Sequence, residues 1–322
     1  MNATTSDQHG LIRDDGVGVA HGTFGELLQG VLPDGDRDFL VTFPISHTSV
    51  ARFQADPTRT DVVVRPPHKT KSRLLAECIL RTHGRPGGAL TITSTLPEGK
   101  GLASSSADLV ATARAVGEAM GVRLAERDIE TFLRDIEPTD GVMYQGIVAF
   151  YHREVRLREH LGHLPPLTVV GHDCGGMVDT VTFNRSKKPR SDGDKQEYQH
   201  LLDQLAAAVR SGDLSTVGAV ATRSAEMNST LTPRRHFGDL LRICRDVEGL
   251  GLVLAHSGTN LGILLPGDVD EHTDDIAYIR ASCAAFPGTV SVYRSLGRLH
   301  TSGEPGRPAA PFPTSVGNHP GR

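Results

Sequence analysis

Short strand-like segments alternate with helical ones along the chain. Val17 to Ala20, Phe39 to Phe43, Thr48 to Phe53, Thr60 to Val64 and Ala89 to Ser94 carry β-branched residues bounded by turn formers, which predicts the strands of a small sheet. Ser72 to Thr82 reads as a helix, and Ser105 to Met120 places Leu109, Ala113, Val116 and Met120 at three- and four-residue spacings, so one face of that helix packs on the sheet. Ala125 to Ile136 is a further helix, closed before Pro138 because the residue preceding a proline avoids the helical region. Ile147 to Tyr151 returns to a strand.

Past Leu164-Pro165-Pro166, where a boundary between two lobes is expected, strands are predicted at Thr168 to Gly171 and Thr180 to Phe183, then a polar loop from Arg185 to Lys195. Helices are predicted at Tyr198 to Arg210, Leu214 to Glu226, Arg235 to Glu248 and Asp270 to Ala285, with strands at Gly251 to Ala255, Gly262 to Leu265 and Thr289 to Tyr293. The organisation is α+β in two lobes, residues 1–164 and 165–300. Thr301 to Arg322, rich in Pro, Gly and Ser, is expected to be a disordered tail.

Composition narrows the setting. The 322 residues are 38% hydrophobic and 22% charged, ordinary for a soluble globular protein with one large core or two medium ones. A net charge of −4 and the lack of a basic stripe interleaved with aromatics argue against nucleic acid as a partner. The compact basic cluster Lys187-Lys188-Pro189-Arg190 reads as a solvated loop. Cys78, Cys174, Cys244 and Cys283 are too dispersed for a zinc site or a disulfide framework, and neither a signal-like N-terminus nor a bilayer-length apolar run is present. Reduced thiols and a cytoplasmic location are expected, with no membrane partner.

The candidate chemistry starts at Pro97-Glu98-Gly99-Lys100-Gly101-Leu102-Ala103-Ser104-Ser105-Ser106-Ala107-Asp108, where small residues end and an apolar helix begins. Glycines let main chain approach an anion, and the free amides of a helix's first turn point at it with the dipole behind them. It also reads as an ordinary helix start with serine caps. A P-loop is excluded, because Lys100 is followed by Gly101 and Ser94 stands where its first glycine belongs. Two further clusters interrupt the apolar pattern. One is His21-Gly22-Thr23-Phe24-Gly25-Glu26-Leu27-Leu28-Gln29-Gly30 after the first strand, readable as a hairpin turn with exposed polar residues. The other is Glu137-Pro138-Thr139-Asp140-Gly141 between a helix and a strand, where Asp140 is either a fixed functional carboxylate or a turn residue bonding its own backbone.

The loop resembles the ATP loop of the GHMP kinases, Pro-x-x-x-Gly-Leu-Gly-Ser-Ser-Ala, with Ala103 in place of the second glycine and Ser106 in place of the alanine. The Gly25-Glu26-Leu27-x-Gln29-Gly30 and Glu137-Pro138-Thr139-Asp140 forms resemble one branch of that family, the L-threonine kinases, and the motifs occur in family order from about Val17 to Tyr293. The resemblance implies an N-terminal lobe like ribosomal protein S5 domain 2, with a left-handed βαβ crossover, and a ferredoxin-like C-terminal lobe. It implies ATP bound at Pro97, Glu98, Gly99, Lys100, Gly101, Leu102, Ala103, Ser104, Ser105 and Ser106. Substrate would be held by Gly25, Glu26, Gln29, Thr139 and Asp140, together with Ser257, Gly258 and Thr259 of a third motif, Ala255 to Gly262.

In that light Asp140 is the base, although some family members work by positioning and charge neutralisation alone. Mg2+ would be held by Ser105 and by a helix carboxylate, Glu130 first and Glu126 second; Glu130 reads equally well as a solvated surface residue. His256 is expected to be packed or on the surface rather than catalytic, Lys69 and Lys71 read first as a solvated charge pair and second as reaching nucleotide phosphates, and Asp173 to Asp179 reads as a loop able to face the cleft, without a fixed role. The substrate implied is a small hydroxy amino acid, L-threonine first, then serine, homoserine or a modified relative, with a homodimer compatible. A ligand sensor on the same fold and an ATP-independent binding module are the readings from other classes.

Overall fold

The computed structural model describes residues 14–175, 190–231, 234–256 and 258–297. Its spine is a pair of long antiparallel strands, β1 (Asp15–Val31) and β2 (Asp38–Ala55), linked by a turn containing a 3-10 stretch at Asp34–Asp36. The sequence predicts shorter strands with the His21 to Gly30 cluster as a loop; the chain instead runs straight through. Register shifts at His21/Thr23, Thr23/Glu26 and Glu26/Leu28 absorb the glycines and polar residues as bulges. Phe24, Leu27 and Leu28 stay fully buried between them, which rules out the exposed hairpin turn.

A parallel pair follows, β3 (Val62–Arg65) and β4 (Gly88–Ser94), connected through α1 (Thr70–Thr82). Next come α2 (Ser104–Ala119), α3 (Glu126–Leu133), β5 (Ile147–Tyr151) and β6 (Arg156–Gly162). The sequence does not predict β6, whose Arg156, Leu157, Glu159, His160 and Gly162 pair with β5. The second half contains β7 (Leu167–Asp173), α4 (Asp192–Ser211), α5 (Leu214–Leu231), α6 (Phe237–Asp246), β8 (Gly251–Leu254), β9 (Asn260–Pro266), α7 (Asp274–Cys283) and β10 (Thr289–Arg294).

Helix α4 begins inside the stretch expected to be a polar loop. Ser191 Oγ accepts from the Asp194 amide at 3.1 Å while the Asp194 carboxylate accepts from the Ser191 amide at 3.1 Å, a reciprocal cap that starts a helix among polar residues. The strand predicted at 180–183, the basic residues 187–189 and the predicted tail at 301–322 lie outside the described residues.

The strands form one sheet in the order β10-β7-β9-β8-β1-β2-β4-β3, with β5 pairing β2 and β6. The expected boundary falls between β6 and β7, and the sheet continues across it through a bridge between Glu26 of β1 and Leu254 of β8. One core lies between the sheet and α2, whose Ala107, Leu109, Val110, Ala111, Ala113, Ala115 and Val116 are buried on every side. Small residues let this helix lie close to β1, so its N-terminus is held rigidly where the sheet opens. A second core under α6 and α7 is built from Leu240, Ile243, Leu252, Ile263, Ile276 and Ile279.

Candidate active site

Backbone from all three motifs meets at the N-terminus of α2. The Thr23 amide donates to Leu102 O at 3.2 Å and the Gly25 amide to Gly101 O at 3.3 Å, so the bulged part of β1 pairs with the loop. On the other side, Asn260 Nδ2 donates to Lys100 O at 2.8 Å. Gly101 has φ +75°, and a Cβ there would lie 2.5 Å from Ala255 Cβ; one on Gly258 would lie 2.1 Å from Lys100 O. Only glycine allows this approach. Lys100 is turned away, its ammonium 2.6 Å from the Asp173 carboxylate, which also accepts from Thr259 Oγ1.

Helix α2 starts at a left-handed Ala103, φ 56°, and no side chain caps it. The serine-capped helix start is therefore not what the chain forms. First-turn amides without a side-chain cap suit an external anion.

A cavity of about 320 Å³ opens at this helix end. Every loop residue from Glu98 to Ser106 except Lys100 lines it, together with Glu26, Lys69, Lys71, Asp108, Glu137, Thr139, Asp140, His152 and His256. Glu26, Glu98, Asp108, Glu137 and Asp140 set five carboxylates against the two lysines. The lysines are not a solvated pair. Lys69, with 12% of its side chain exposed, lies 2.5 Å from Asp108 and 2.5 Å from Glu98, and Lys71 pairs with Glu137. Asp108 is buried in the second turn of α2 and also accepts from Ser49 Oγ at 2.5 Å. Ser105 Oγ donates to Glu137, which brings a loop hydroxyl and a carboxylate together at the cavity wall.

Asp140 lies opposite the loop on the segment between α3 and β5. Its amide donates to Ser106 Oγ at 3.1 Å, and that hydroxyl is 3.2 Å from its carboxylate. Burial pushes the Asp140 carboxyl up to about 6, the Glu137 charge adds to the rise, and the Ser106 hydrogen bond opposes it. Asp140 is thus not a turn residue that merely bonds its own backbone. Glu26, 3% exposed, has its pKa raised well above the ordinary carboxylate range, first by burial and then by the Asp140 charge. Among the described residues Glu26 Oε2 and Thr139 Oγ1 are buried without a hydrogen-bond partner, and both residues face the cavity.

Several residues expected at the site stand elsewhere. Glu130 is neither solvated nor at the cavity. It is buried, accepting from Tyr144 OH at 2.8 Å and from the Leu157 amide at 2.7 Å, and so braces the segment carrying Asp140 against β6. Glu126 and Pro97 do not line the cavity either. Gln29 lies behind the wall, bonded to His256 and Leu254 O, and Gly25, Gly258 and Thr259 support the loop. Ser257 lies outside the described residues.

Sequence reasoning missed Asp108, Glu137 and His152 and assigned Lys69 and His256 to solvent or packing. Asp108 alone carried a readable signal, a charge on the buried face of an apolar helix.

Residues 70–152 match the family model of the GHMP kinases N terminal domain. An L-threonine kinase of Salmonella typhimurium is 27% identical over 283 residues, 86% of this chain and 91% of the relative. That of Citrobacter freundii is 27% identical over 260 residues, 80% and 87% of the two chains. The chain is therefore similar to GHMP kinases over residues 70–152 and to L-threonine kinases over most of its length. Its fold superposes on a homoserine kinase from Cytophaga hutchinsonii with a TM-score of 0.67 at 17% identity, covering 92% of this chain and 98% of the other. The two-lobed GHMP kinase fold expected from the motifs is therefore the fold found, and the similarities support an ATP-dependent kinase of small molecules. Among the described residues no helix is long and apolar enough to cross a membrane.

Proposed function

We propose that this protein transfers the γ-phosphoryl group of ATP to the side-chain hydroxyl of a small amino acid, with L-threonine the first candidate and O-phospho-L-threonine the product. The observation that carries the reading is Glu26. An unpartnered buried carboxylate beside a second carboxylate calls for a cation, and a substrate ammonium supplies one in the cavity that the α2 N-terminus faces. The named L-threonine kinases on either side of the comparison support the choice of threonine.

In this reading the amides of the loop and of the first turn of α2 hold the phosphates, with Lys69 close by. The donor set also fits magnesium. One hydroxyl and one carboxylate, Ser105 and Glu137, meet at the wall, and that is the protein share magnesium takes when phosphates and water complete its shell. Bound there, the ion neutralises charge on the phosphates. Asp140 takes the proton from the substrate hydroxyl as its oxygen bonds to the γ-phosphorus and the bond to the β,γ-bridging oxygen breaks, releasing ADP. A base with a pKa near 6 is charged at neutral pH yet basic enough to share the proton in the transition state.

The test is a panel of L-threonine, L-serine, L-homoserine and a non-amino alcohol, incubated with MgATP and assayed for ADP. L-threonine is expected to turn over with the highest kcat/KM. No ADP with any amino acid that nonetheless binds would make the protein a sensor on a kinase fold.

A further inference from the structure

Ser106, which stands where the GHMP kinase loop pattern has alanine, is 5% exposed in the first turn of α2. Its hydroxyl is used twice by one residue. The Asp140 amide donates to Ser106 Oγ at 3.1 Å, so the oxygen is already an acceptor, and its single hydrogen goes to Asp140 Oδ2 at 3.2 Å. One hydroxyl thus bridges the main chain and the carboxylate of Asp140. The bridge closes a ring over the torsion between them, which otherwise has three staggered wells, and holds the carboxylate in one of them.

Both supports of this bridge are fixed. Helix α2 lies so close on β1 that a Cβ on Gly18 would meet Ala111 O at 2.0 Å and one on Gly16 would meet Ala115 O at 2.2 Å. Arg114, further along α2, donates to Val19 O at 2.6 Å and to Met143 O at 2.9 Å, which ties the segment carrying Asp140 to the helix and the sheet. The Thr139 amide donates to His152 O at 3.2 Å and the Val142 amide to Asp140 O at 2.8 Å, so the main chain around Asp140 is held as well. What these main-chain bonds leave open is the direction of the carboxylate. Ser106 sets it.

We propose that Ser106 is the positioning residue of the base: its hydroxyl aims the Asp140 carboxylate at the substrate hydroxyl and takes no part in holding ATP. The proposal rests on reading Asp140 as the base and goes beyond it by naming the side chain that orients it. Ser106 keeps its own hydrogen throughout, and the proton that Asp140 accepts is the substrate's. Aim matters because a misplacement of about 1 Å between reacting groups costs about 10² in rate. Alanine at this position keeps the helix, since it is the best helix former, and removes only the bridge.

The test is a double-mutant cycle in the full chain: parent, Ser106→Ala, Asp140→Asn and the pair, assayed with the amino acid that turns over best and titrated with MgADP by calorimetry. Ser106→Ala is expected to lower kcat by about 10–10², with both KM values and the MgADP affinity within about threefold of the parent. In the Asp140→Asn background the same change should cost less than about twofold, because no base is left to aim. Ser106→Thr, which keeps the hydroxyl, should recover kcat to within about threefold of the parent. A near-parental kcat in Ser106→Ala, an equal loss in both backgrounds, or no recovery in Ser106→Thr would overturn the proposal. So would a loss confined to the ATP KM and the MgADP affinity, which would make Ser106 a phosphate ligand. If Asp140→Asn itself keeps its turnover, the base reading falls and this proposal with it; if only Ser106→Ala keeps it, the base reading stands and the proposal alone falls.

Discussion

The two ends of the cavity are built by opposite means. At the phosphate end the contacts are main chain on main chain: Gly101 and Gly258 let three loops touch, and the anion site is the bare end of a helix. At the Glu26 end the contacts are side chains, drawn from β1, the segment after α3, the end of β5 and the turn after β8. A backbone cradle accepts any nucleotide phosphate, whereas an array of buried carboxylates and histidines discriminates by charge and by donor count. In the proposed reaction the general part and the specific part thus fall to different kinds of structure.

Asp140→Asn probes the difference most sharply. Turnover is expected to fall by about 10²–10⁴ while ATP affinity, measured by calorimetry, stays that of the parent enzyme. Lost ATP affinity would mean that the two ends are not separable. The parent kcat should rise as pH passes through about 6, where Asp140 gives up its proton.

Stability moves the other way. The folded-state pKa of Asp140 is raised above the unfolded one, so its charge has a cost that is absent below the unfolded pKa and complete above the folded pKa. Asp140→Asn should therefore be more stable than the parent at neutral pH, by on the order of 2 kcal/mol, with the gain vanishing in thermal melts near pH 4.

Gly258→Ala sets a methyl 2.1 Å from Lys100 O and must displace the loop. An increase of about tenfold in the KM for ATP is expected, worth about 1.4 kcal/mol, with the amino acid KM nearly unchanged. A change in the amino acid KM alone would invert the comparison. The smallest effect is expected from Glu130→Gln, which keeps a bond to Tyr144: a loss of a few-fold in kcat and no change in the magnesium dependence. Glu137→Gln is the contrasting variant and should raise the magnesium needed for half-maximal rate.

The same division decided what could be read from the sequence. The loop from Pro97 to Ser106 was legible because glycine and serine before an apolar helix have one backbone consequence, wherever the rest of the chain goes. Helices α1, α2, α4 and α5 and most strands followed from periodicity, and β6 escaped because Leu157 and Leu161 stand among charged and polar residues without an alternating apolar pattern. The choice between Glu130 and Glu137 was not legible. Both are glutamates near the acidic segment, and only the packing of α3 against β6 turns the first inward while leaving the second beside Ser105. The polarity of Gln29 was visible, but its target was not, because His256 is 227 residues away in sequence.

The bridge between Glu26 and Leu254 bears on how such kinases can diverge. The residue proposed to meet a substrate cation is also a seam where the strands of the first half join those of the second. A recombinant that kept one half and borrowed the other from a relative would change the pairing at that residue, and with it the reach of its carboxylate. On the proposed role of Glu26, substrate choice is in that sense a property of the joint, inherited by neither half alone.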